Sequence, residues 1–328
     1  MPEGHTIHRL ALTLDRAFAG SRPRAASPQG RFTDGARRLD GRLVERAEAW
    51  GKHLFVTFEE DVVLNVHLGL IGVFDVHRYA PRTAADVAPP LTAPPGPTTP
   101  PPPVGAVRLR LWNDETVADL RGATVVDLVT PEQVDATVAR LGPDPLRAGT
   151  PGNDPERALA RMARTGRTIA EVLMDQSVIA GVGNLYRCEV LFRHRVDPFR
   201  PAREIRPATF RAIWDDLVDL LAIGVAFGQI ITVEEQLAEA RAILGDLGEE
   251  ASEAYRGGRL TLVDWQGGGE AEAGGRRRPA YERRGPFERE FAVYQRDGQG
   301  CYTCGSRIRT RVVAGRNLFW CGRCQRRR

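Results

Sequence analysis

The chain has 328 residues, of which 42% are hydrophobic and 27% charged, and its formal net charge is +4. This length allows two or three domains that each bury enough interior to fold without disulfides, and the composition is that of a globular protein. Neither a run of about 18 apolar residues nor a secretory signal occurs, so we expect a cytoplasmic protein without a membrane partner.

The first part of the chain predicts one helix followed by strands. Apolar side chains recur at helical spacing from residue 3 to about residue 18, which predicts an N-terminal helix. The segments HLFVTF, DVVLNVHLGLIGVFDV and AVRLRLWNDETVADLRG alternate apolar and polar residues or are dense in β-branched ones. Such segments are typical of short antiparallel strands. We therefore expect an α+β protein whose first domain, residues 1–140, is an antiparallel β-sandwich with a flanking helix.

Proline and glycine mark the interruptions of this pattern. Ten prolines lie between Pro81 and Pro103, and because proline cannot donate to a sheet, residues 81–105 are predicted to form an exposed insertion. The turn-rich LGPDPL motif opens a helical domain at residues 141–256. A flexible linker is predicted at residues 257–290 from its glycine and charge content.

The helical domain contains three segments with helical spacing, RTIAEVLMDQSVI, NLYRCEVLFRHRV and ATFRAIWDDLVDLLAIGVAFG. Residues 234–256 are a further, acidic candidate helix. The glycines of AGVGN form a turn before Asn184 at a helix start, where exposed N–H groups are able to hold a phosphate. Ordinary packing of a helix–turn–helix unit explains the same pattern.

Four of the five cysteines lie in the last 28 residues as two C-x2-C pairs: Cys301, Cys304, Cys321 and Cys324. Two close pairs at this separation are typical of one structural zinc ion held by four thiolates, with a β-hairpin between the pairs that turns near Gly315. We therefore predict a zinc-finger hairpin at residues 291–328. The remaining Cys188 is interpreted as a buried core thiol.

Charge is distributed unevenly along the chain. From Arg276 to Arg328 there are 15 arginines and 4 acidic residues, which is the pattern expected for a polyanionic partner such as nucleic acid. A solvated basic tail is the alternative interpretation, and a zinc ribbon alone is equally able to bind protein.

Two amines compete as a candidate nucleophile. Lys52 is the only lysine in the chain, and a lysine amine, unlike a guanidinium, is able to lose its proton and attack carbon. If Met1 is removed, Pro2 has a free secondary amine, and backbone amines have lower reference pKa values than lysine. Glu3 beside it is a candidate for proton transfer. Proline followed by glutamate is also a good helix start, which is the alternative for this pair.

Taken in order, MPEG, WGKHLF, HLGLIGVF, LGPDPL, DQSVIAGVGNLYRCEVLF and the finger with GRNLFWC resemble the Fpg/Nei family of bacterial DNA glycosylases. The resemblance implies a β-sandwich, a helix-two-turn-helix domain and a zinc finger, with damaged double-stranded DNA bound between them and the damaged nucleotide flipped out. It also implies a nucleoid-associated, monomeric base-excision-repair enzyme that is both glycosylase and AP lyase, and that cuts the strand by β,δ-elimination.

The resemblance assigns roles to individual residues. It implies that Pro2 is the nucleophile and that Glu3 transfers protons. Lys52 is then a phosphate contact on a strand, and Asn184 and Arg316 are further phosphate contacts. Leu70 is implied to fill the gap left by the flipped base, although a leucine in so apolar a segment is also a core candidate.

The branch of the family sets the expected lesion. PEGHT is similar to the Nei branch, which implies oxidised pyrimidines, whereas an Fpg-like preference for oxidised purines is the alternative. A second glutamate is usual at the position of Thr6, and threonine does not shuttle protons as a carboxylate does. A non-catalytic protein that binds damaged DNA is the alternative from another functional class.

Overall fold

The structure is a computed structural model that describes residues 2–79, 99–247 and 286–326. Most of the predicted proline-rich insertion and of the predicted linker lies outside the described residues. Within the described ranges, no helix combines the length and the apolar character that crossing a membrane requires.

The first part of the chain forms two four-stranded antiparallel sheets and three helices. Its elements are α1 (Gly4–Phe18), β1 (Arg24–Ala26), α2 (Thr33–Leu39), β2 (Val44–Trp50), β3 (His53–Phe58), β4 (Val62–His67), β5 (Val73–Arg78), β6 (Val107–Trp112), β7 (Thr116–Arg121), β8 (Val125–Val129) and α3 (Pro131–Arg140). One sheet has the strand order β1-β6-β7-β5 and the other β2-β3-β4-β8.

The two sheets and α1 share one apolar core. Leu54 and Leu64 of one sheet and Leu109 and Leu120 of the other are completely buried in the same cluster, together with Ile7 of α1. This arrangement confirms the predicted sandwich with a flanking helix, because the alternating apolar residues of both sheets face each other.

The second part is helical. Its elements are α4 (Pro155–Met162), α5 (Ile169–Val172), α6 (Asn184–Arg193), α7 (Pro207–Phe227) and α8 (Glu234–Gly245), and single 3₁₀ turns lie at Pro145–Arg147 and Ala202–Glu204. α7 is buried over most of its length and ends at Gly228, whose φ of 66° is the left-handed conformation that favours glycine. α6 and α7 coincide with two of the three predicted helical segments.

The prediction for the remaining segment, RTIAEVLMDQSVI, was wrong over most of its length. α5 has only 4 residues, and the chain then turns. Asp175 accepts a hydrogen bond from the N–H of Ser177 at 3.0 Å, and Gln176 accepts one from the N–H of Gly181 at 3.0 Å. These side chains hydrogen-bond to the backbone locally and so compete with helix continuation.

The C-terminal unit is a β-hairpin of β9 (Ile308–Val313) and β10 (Arg316–Cys321), with Gly315 at its turn. Leu318 and Phe319 of the hairpin are buried in the same cluster as α6 and α7. The hairpin therefore packs on the helical part and shares its core.

A buried carboxylate fixes the chain that leads into this unit. Glu189 of α6 is completely buried and accepts hydrogen bonds from the N–H groups of Ala292, Val293 and Tyr294 at 2.8, 2.9 and 2.9 Å. It also accepts one from the hydroxyl of Thr232 at 3.0 Å. Four donors on one carboxylate compensate for its removal from water.

We expect Glu189→Ala to destabilise the protein by about 3 kcal/mol or more, because several buried donors lose their acceptor at once. Denaturant unfolding measures this loss, and amide hydrogen exchange should rise first at residues 292–294. Glu288→Ala removes a carboxylate from an exposed position nearby and should be neutral. Equal stability of the two variants would contradict the anchoring role of Glu189.

Candidate active site at the junction of the sandwich and the helical part

The carboxylate of Glu3 lies where the two parts of the protein meet. Glu3 precedes α1 but does not cap it with its side chain. Instead it accepts hydrogen bonds from the N–H of Gly183 at 2.7 Å and of Leu185 at 2.9 Å, at the start of α6. The positive end of a helix and its free N–H groups favour an anion at this place. The anion at the glycine turn is thus a side chain of the protein, and not the phosphate that the turn alone suggested.

Close backbone approach explains the glycines of this junction. The N–H of Gly4 donates to the carbonyl of Gly181 at 2.8 Å. A Cβ on Gly4 would lie 2.8 Å from the Cα of Gly181, and a Cβ on Gly183 would lie 2.3 Å from the carboxyl carbon of Glu3. Larger residues at these positions would separate Glu3 from α6.

Burial sets the proton affinity of Glu3, which is 1% exposed. Desolvation raises the pKa of Glu3, while the charge of Lys52 and the backbone N–H groups of α6 lower it in part. Pro2, directly before it, is also buried. The site therefore combines a buried proline with a buried carboxyl group whose pKa is raised above its ordinary value, a state that suits proton transfer.

Lys52 lies in the turn between β2 and β3 and not on a strand as predicted. Trp50 pairs with His53, which leaves a two-residue loop of Gly51, at a φ of 57°, and Lys52. A tight hairpin turn of this kind needs glycine at the left-handed position. Burial lowers the pKa of the lysine, Glu3 raises it, and the charge of Arg316 lowers it further. The charge of Lys52 thus interacts with that of Glu3 and with that of Arg316.

Asp144 holds the lysine turn in place. Its carboxylate, 1% exposed, accepts hydrogen bonds from the N–H of Gly51 at 2.7 Å and of Leu146 at 3.0 Å, and it contacts the Nε2 of His8 at 2.9 Å. Burial alone would raise the pKa of Asp144, but His8 and the two N–H groups lower it on balance. One carboxylate thereby joins α1, the lysine turn and the LGPDPL segment.

The side chain of Asn184 connects α6 to the finger. Its amide N–H donates to the carbonyl of Asn317 at 2.9 Å, and its oxygen accepts from the guanidinium of Arg187. Arg187 is completely buried and also donates to the carbonyl of Ala170 at 3.2 Å. Asn184 therefore aligns the hairpin residue that follows Arg316.

Leu70 is not a core residue. It lies in the loop between β4 and β5 and is 47% exposed, and the neighbouring Ile71 is 74% exposed. Two adjacent apolar side chains exposed to this extent on one loop are a recognisable feature of a contact surface. The sequence predicted a DNA contact for Leu70 and none for the more exposed Ile71.

The four finger cysteines converge on one point. Their sulfur atoms all lie within 4.8 Å of one another, and the Cys301–Cys324 and Cys304–Cys321 pairs are 3.9 and 3.5 Å apart. Tetrahedral zinc with Zn–S bonds of about 2.3 Å needs sulfur atoms about 3.8 Å apart. The cluster therefore has the donor set and spacing for a structural metal ion. Cys188 is separate from it and buried, where its sulfur accepts the N–H of Phe319 at 3.4 Å.

Comparison with known proteins is consistent with this geometry. The formamidopyrimidine-DNA glycosylase N-terminal domain matches residues 1–126, and the H2TH domain of the same enzymes matches residues 141–236. A protein named endonuclease 8 1 from Mycobacterium tuberculosis is 41% identical over 325 residues, covering 99% of this chain and 100% of the relative. The chain belongs to the formamidopyrimidine-DNA glycosylase family.

Other relatives extend the comparison. A formamidopyrimidine-DNA glycosylase of Caulobacter vibrioides is 29% identical over 341 residues, covering 99% of this chain and all of the relative. The structure of Lactococcus lactis Fpg in complex with DNA containing an abasic site has the same fold, with a TM-score of 0.65 at 18% identity, and it covers 99% of this chain and 100% of its own. Enzymes of this family are DNA glycosylases with AP lyase activity, and the chain is one of them.

His5 is a further buried group of this glycosylase site. It is 5% exposed, and its ring meets that of Tyr186 edge to face at 5.5 Å. Burial, together with the positive charges around it, lowers the pKa of His5 to about 3. Its Nε2 contacts the hydroxyl of Thr6 at 3.2 Å. His5 is therefore a neutral polar group packed beside Thr6, where the family usually has a carboxylate.

We expect Gly183→Ala to leave the fold intact but to reduce strand cleavage by about a hundredfold or more. The new methyl group displaces the flexible carboxyl group of Glu3 from α6, and misplacement by about 1 Å costs this much in well-oriented sites. Cleavage of an abasic duplex under single-turnover conditions measures the effect. Gly166→Ala places its methyl group no closer than 3.8 Å to a neighbour and should retain full activity.

We expect His5→Phe to reduce the acid sensitivity of folding. A histidine whose pKa falls from 6.5 unfolded to about 3 folded costs stability as pH falls below 6.5, because only the unfolded chain takes up the proton. Between pH 6.5 and 4.5 the free energy of unfolding of the variant should therefore fall by about 2.5 kcal/mol less than that of the parent. Denaturant titrations at the two pH values measure this difference, and identical slopes would contradict a neutral buried His5.

Proposed function

We propose that this enzyme removes oxidised pyrimidines from double-stranded DNA through a Schiff base on Pro2 and then cuts the strand by β,δ-elimination. The observation that carries the proposal is the carboxylate of Glu3. It is held by the start of α6 directly beside Pro2, and burial raises its pKa. A carboxyl group in this state supports proton transfer at a neighbouring reactive centre.

The chemistry begins when removal of Met1 frees the secondary amine of Pro2. The amine nitrogen attacks the anomeric carbon of the flipped nucleotide, and the bond to the damaged base breaks with its electron pair on the base, which takes up the proton that the amine loses. The carboxyl group of Glu3 protonates the ring oxygen of the sugar as the ring opens. This leaves an iminium that joins Pro2 to the sugar carbon.

The iminium activates the sugar for elimination. Loss of a proton from the adjacent carbon expels the 3′ phosphate, and a second elimination expels the 5′ phosphate. Glu3 is the group placed to accept and return protons in these steps, since the charge of Lys52 stabilises its ionised form. Hydrolysis of the remaining iminium returns the amine.

The positive charge of Lys52, which acts on Glu3, and that of Arg316, which acts on Lys52, support binding of the DNA backbone near this site. Lys52 in the β2–β3 turn and Arg316 at the start of β10 are proposed to bind phosphates beside the lesion. Asn184 is proposed as a further phosphate contact, and its bond to Asn317 also aligns the hairpin that carries Arg316. Leu70, together with Ile71, is proposed to enter the gap left by the flipped base.

The finger is proposed to hold one structural zinc ion through Cys301, Cys304, Cys321 and Cys324. Zinc bound to four thiolates has no open position for substrate, so its contribution is to the fold of the hairpin. We propose that the enzyme is a monomer with three functional domains, at residues 1–140, 141–256 and 291–328. The first two domains meet at Glu3.

An Fpg-like preference for oxidised purines is the second candidate. Full-length relatives carry both the endonuclease 8 and the formamidopyrimidine-DNA glycosylase names, and Thr6 replaces the second glutamate that both branches usually have. Rates on duplexes that each contain one defined oxidised base, of either the pyrimidine or the purine class, separate the two candidates.

Borohydride trapping on a duplex with one abasic site tests the mechanism. We expect the parent to form a covalent complex and Pro2→Gly and Glu3→Gln to form at least about tenfold less. Lys52→Ala should still be trapped but should bind DNA more weakly, because it removes a phosphate contact and not the amine. Arg38→Ala removes an exposed charge from α2 and is the control for net charge.

Two results would contradict this assignment. Complete loss of trapping in Lys52→Ala, with DNA binding intact, would make Lys52 the nucleophile. Binding of damaged DNA without trapping or cleavage by the parent would indicate the non-catalytic alternative, and detection of Met1 on the mature N-terminal peptide would support that result.

A further inference from the structure

A second positively charged site lies at the opposite end of α6 from Glu3. A cavity of about 210 Å³ opens where α6 ends, and the 10 residues of α6 place it about 15 Å from the Glu3 end, at 1.5 Å per residue. Its lining includes four arginines, Arg195, Arg200, Arg206 and Arg326, and also Asp197 and Thr209. None of these residues takes part in the proposed glycosylase mechanism.

Among the described residues, none of the four arginines forms an ion pair, whereas the neighbouring Arg193 pairs with Asp216 at 2.7 Å. The Nε of Arg200 is buried without a hydrogen-bond partner. One oxygen of Asp197, the only carboxylate of the lining, accepts the N–H of Phe199 at 3.0 Å. Arg195, Arg206 and Arg326 are exposed and Arg200 is half-buried, so water screens part of their mutual repulsion, and an anion between them would offset the rest.

Arg195 occupies a backbone position that favours glycine. Its φ is 53°, and it follows the last turn of α6, where Val196 donates to the carbonyl of Leu191 at 2.9 Å. Helices that end in this way usually have glycine in the left-handed position, and another residue costs about 1 kcal/mol. An arginine retained in a strained conformation at a charged cavity indicates a use for its side chain.

The start of the longest described helix faces the same cavity. α7 begins at Pro207, its N-cap residue is Arg206, and no side chain caps it. Thr209, in the first turn, lines the cavity. The positive end of the helix dipole therefore adds to the charge of the arginines.

The finger completes the site. Gln325 is 3% exposed and donates from its side chain to the carbonyl of Val196 at 3.1 Å, while its oxygen accepts the N–H of Cys321 at 2.9 Å. These bonds anchor the residue that precedes Arg326. The cavity is thus assembled from the end of α6, the start of α7 and the chain that follows the last cysteine.

We propose that this cavity is a second anion site that binds a single phosphate group. Its volume of about 210 Å³ is several times the 30 Å³ that a water molecule occupies in the liquid and smaller than the 300 Å³ or more of typical sites for drug-sized molecules. Arginine forks bind phosphate oxygens in pairs. The phosphate is either inorganic or belongs to the DNA backbone away from the lesion.

Equilibrium dialysis with radiolabelled inorganic phosphate tests the site. The zinc-replete parent should bind one more phosphate per chain than Arg195→Gly/Arg200→Gln, or bind it at least tenfold more tightly. Arg195→Gly relieves the left-handed strain, so this variant should remain folded. The matched control, Arg37→Gln/Arg38→Gln, removes two charges from α2 and should bind phosphate as the parent does. Equal binding by parent and cavity variant would overturn the proposal.

A DNA-cleavage assay distinguishes this site from the active site. The cavity variant should cut a short abasic duplex at the parental rate, since the site at Glu3 is unchanged. Normal cleavage with lost phosphate binding supports a separate site, whereas loss of both, with the fold intact, would place these arginines in the active-site cleft and overturn the proposal.

Salt dependence identifies the source of the phosphate. If the phosphate belongs to the DNA backbone, the slope of log affinity against log salt on a 30-base-pair duplex should be smaller in the cavity variant than in the parent, by about 0.9 for each lost contact. If parent and cavity variant have the same slope, and the variant has lost binding of inorganic phosphate, the site is assigned to free phosphate.

Discussion

The hydrogen bonds from α6 to the carboxylate of Glu3 are the constraint on which the rest of the site depends. They attach the N-terminus of the chain to the helical part, 180 residues later in the sequence. The N–H groups of a helix start have a fixed direction, so the carboxylate has little freedom. Because Pro2 is the preceding residue, the same two bonds also determine where the candidate nucleophile lies.

Three further buried carboxylate and amide contacts extend this constraint. Asp144 fixes the turn that carries Lys52, and Asn184 fixes the hairpin that carries Arg316. Glu189 fixes the chain that enters the finger. Each of these three side chains forms several hydrogen bonds, which offset the free-energy cost of removing the buried group from water. The half-buried charges of Lys52 and Arg316 are thus held in position by buried polar contacts.

The sequence predicts much of this arrangement because local patterns are informative where the structure is local. Alternation predicts the sandwich, helical spacing predicts α1, α6 and α7, and the cysteine spacing predicts the finger hairpin. Contacts between distant segments have no such pattern. Nothing near Asp144 indicates that it would bind Gly51, and the glycines of the turn before α6 suggested a bound phosphate because Glu3 is far away in the sequence. The short α5 was missed since local side-chain bonds, and not apolar spacing, end it.

α6 links three parts of the structure. Its first turn holds Glu3, its middle holds the entry to the finger through Glu189, and its end forms the arginine cavity. The buried acid, the entry to the finger and the arginine cavity are therefore attached to one helix of 10 residues, which spans about 15 Å.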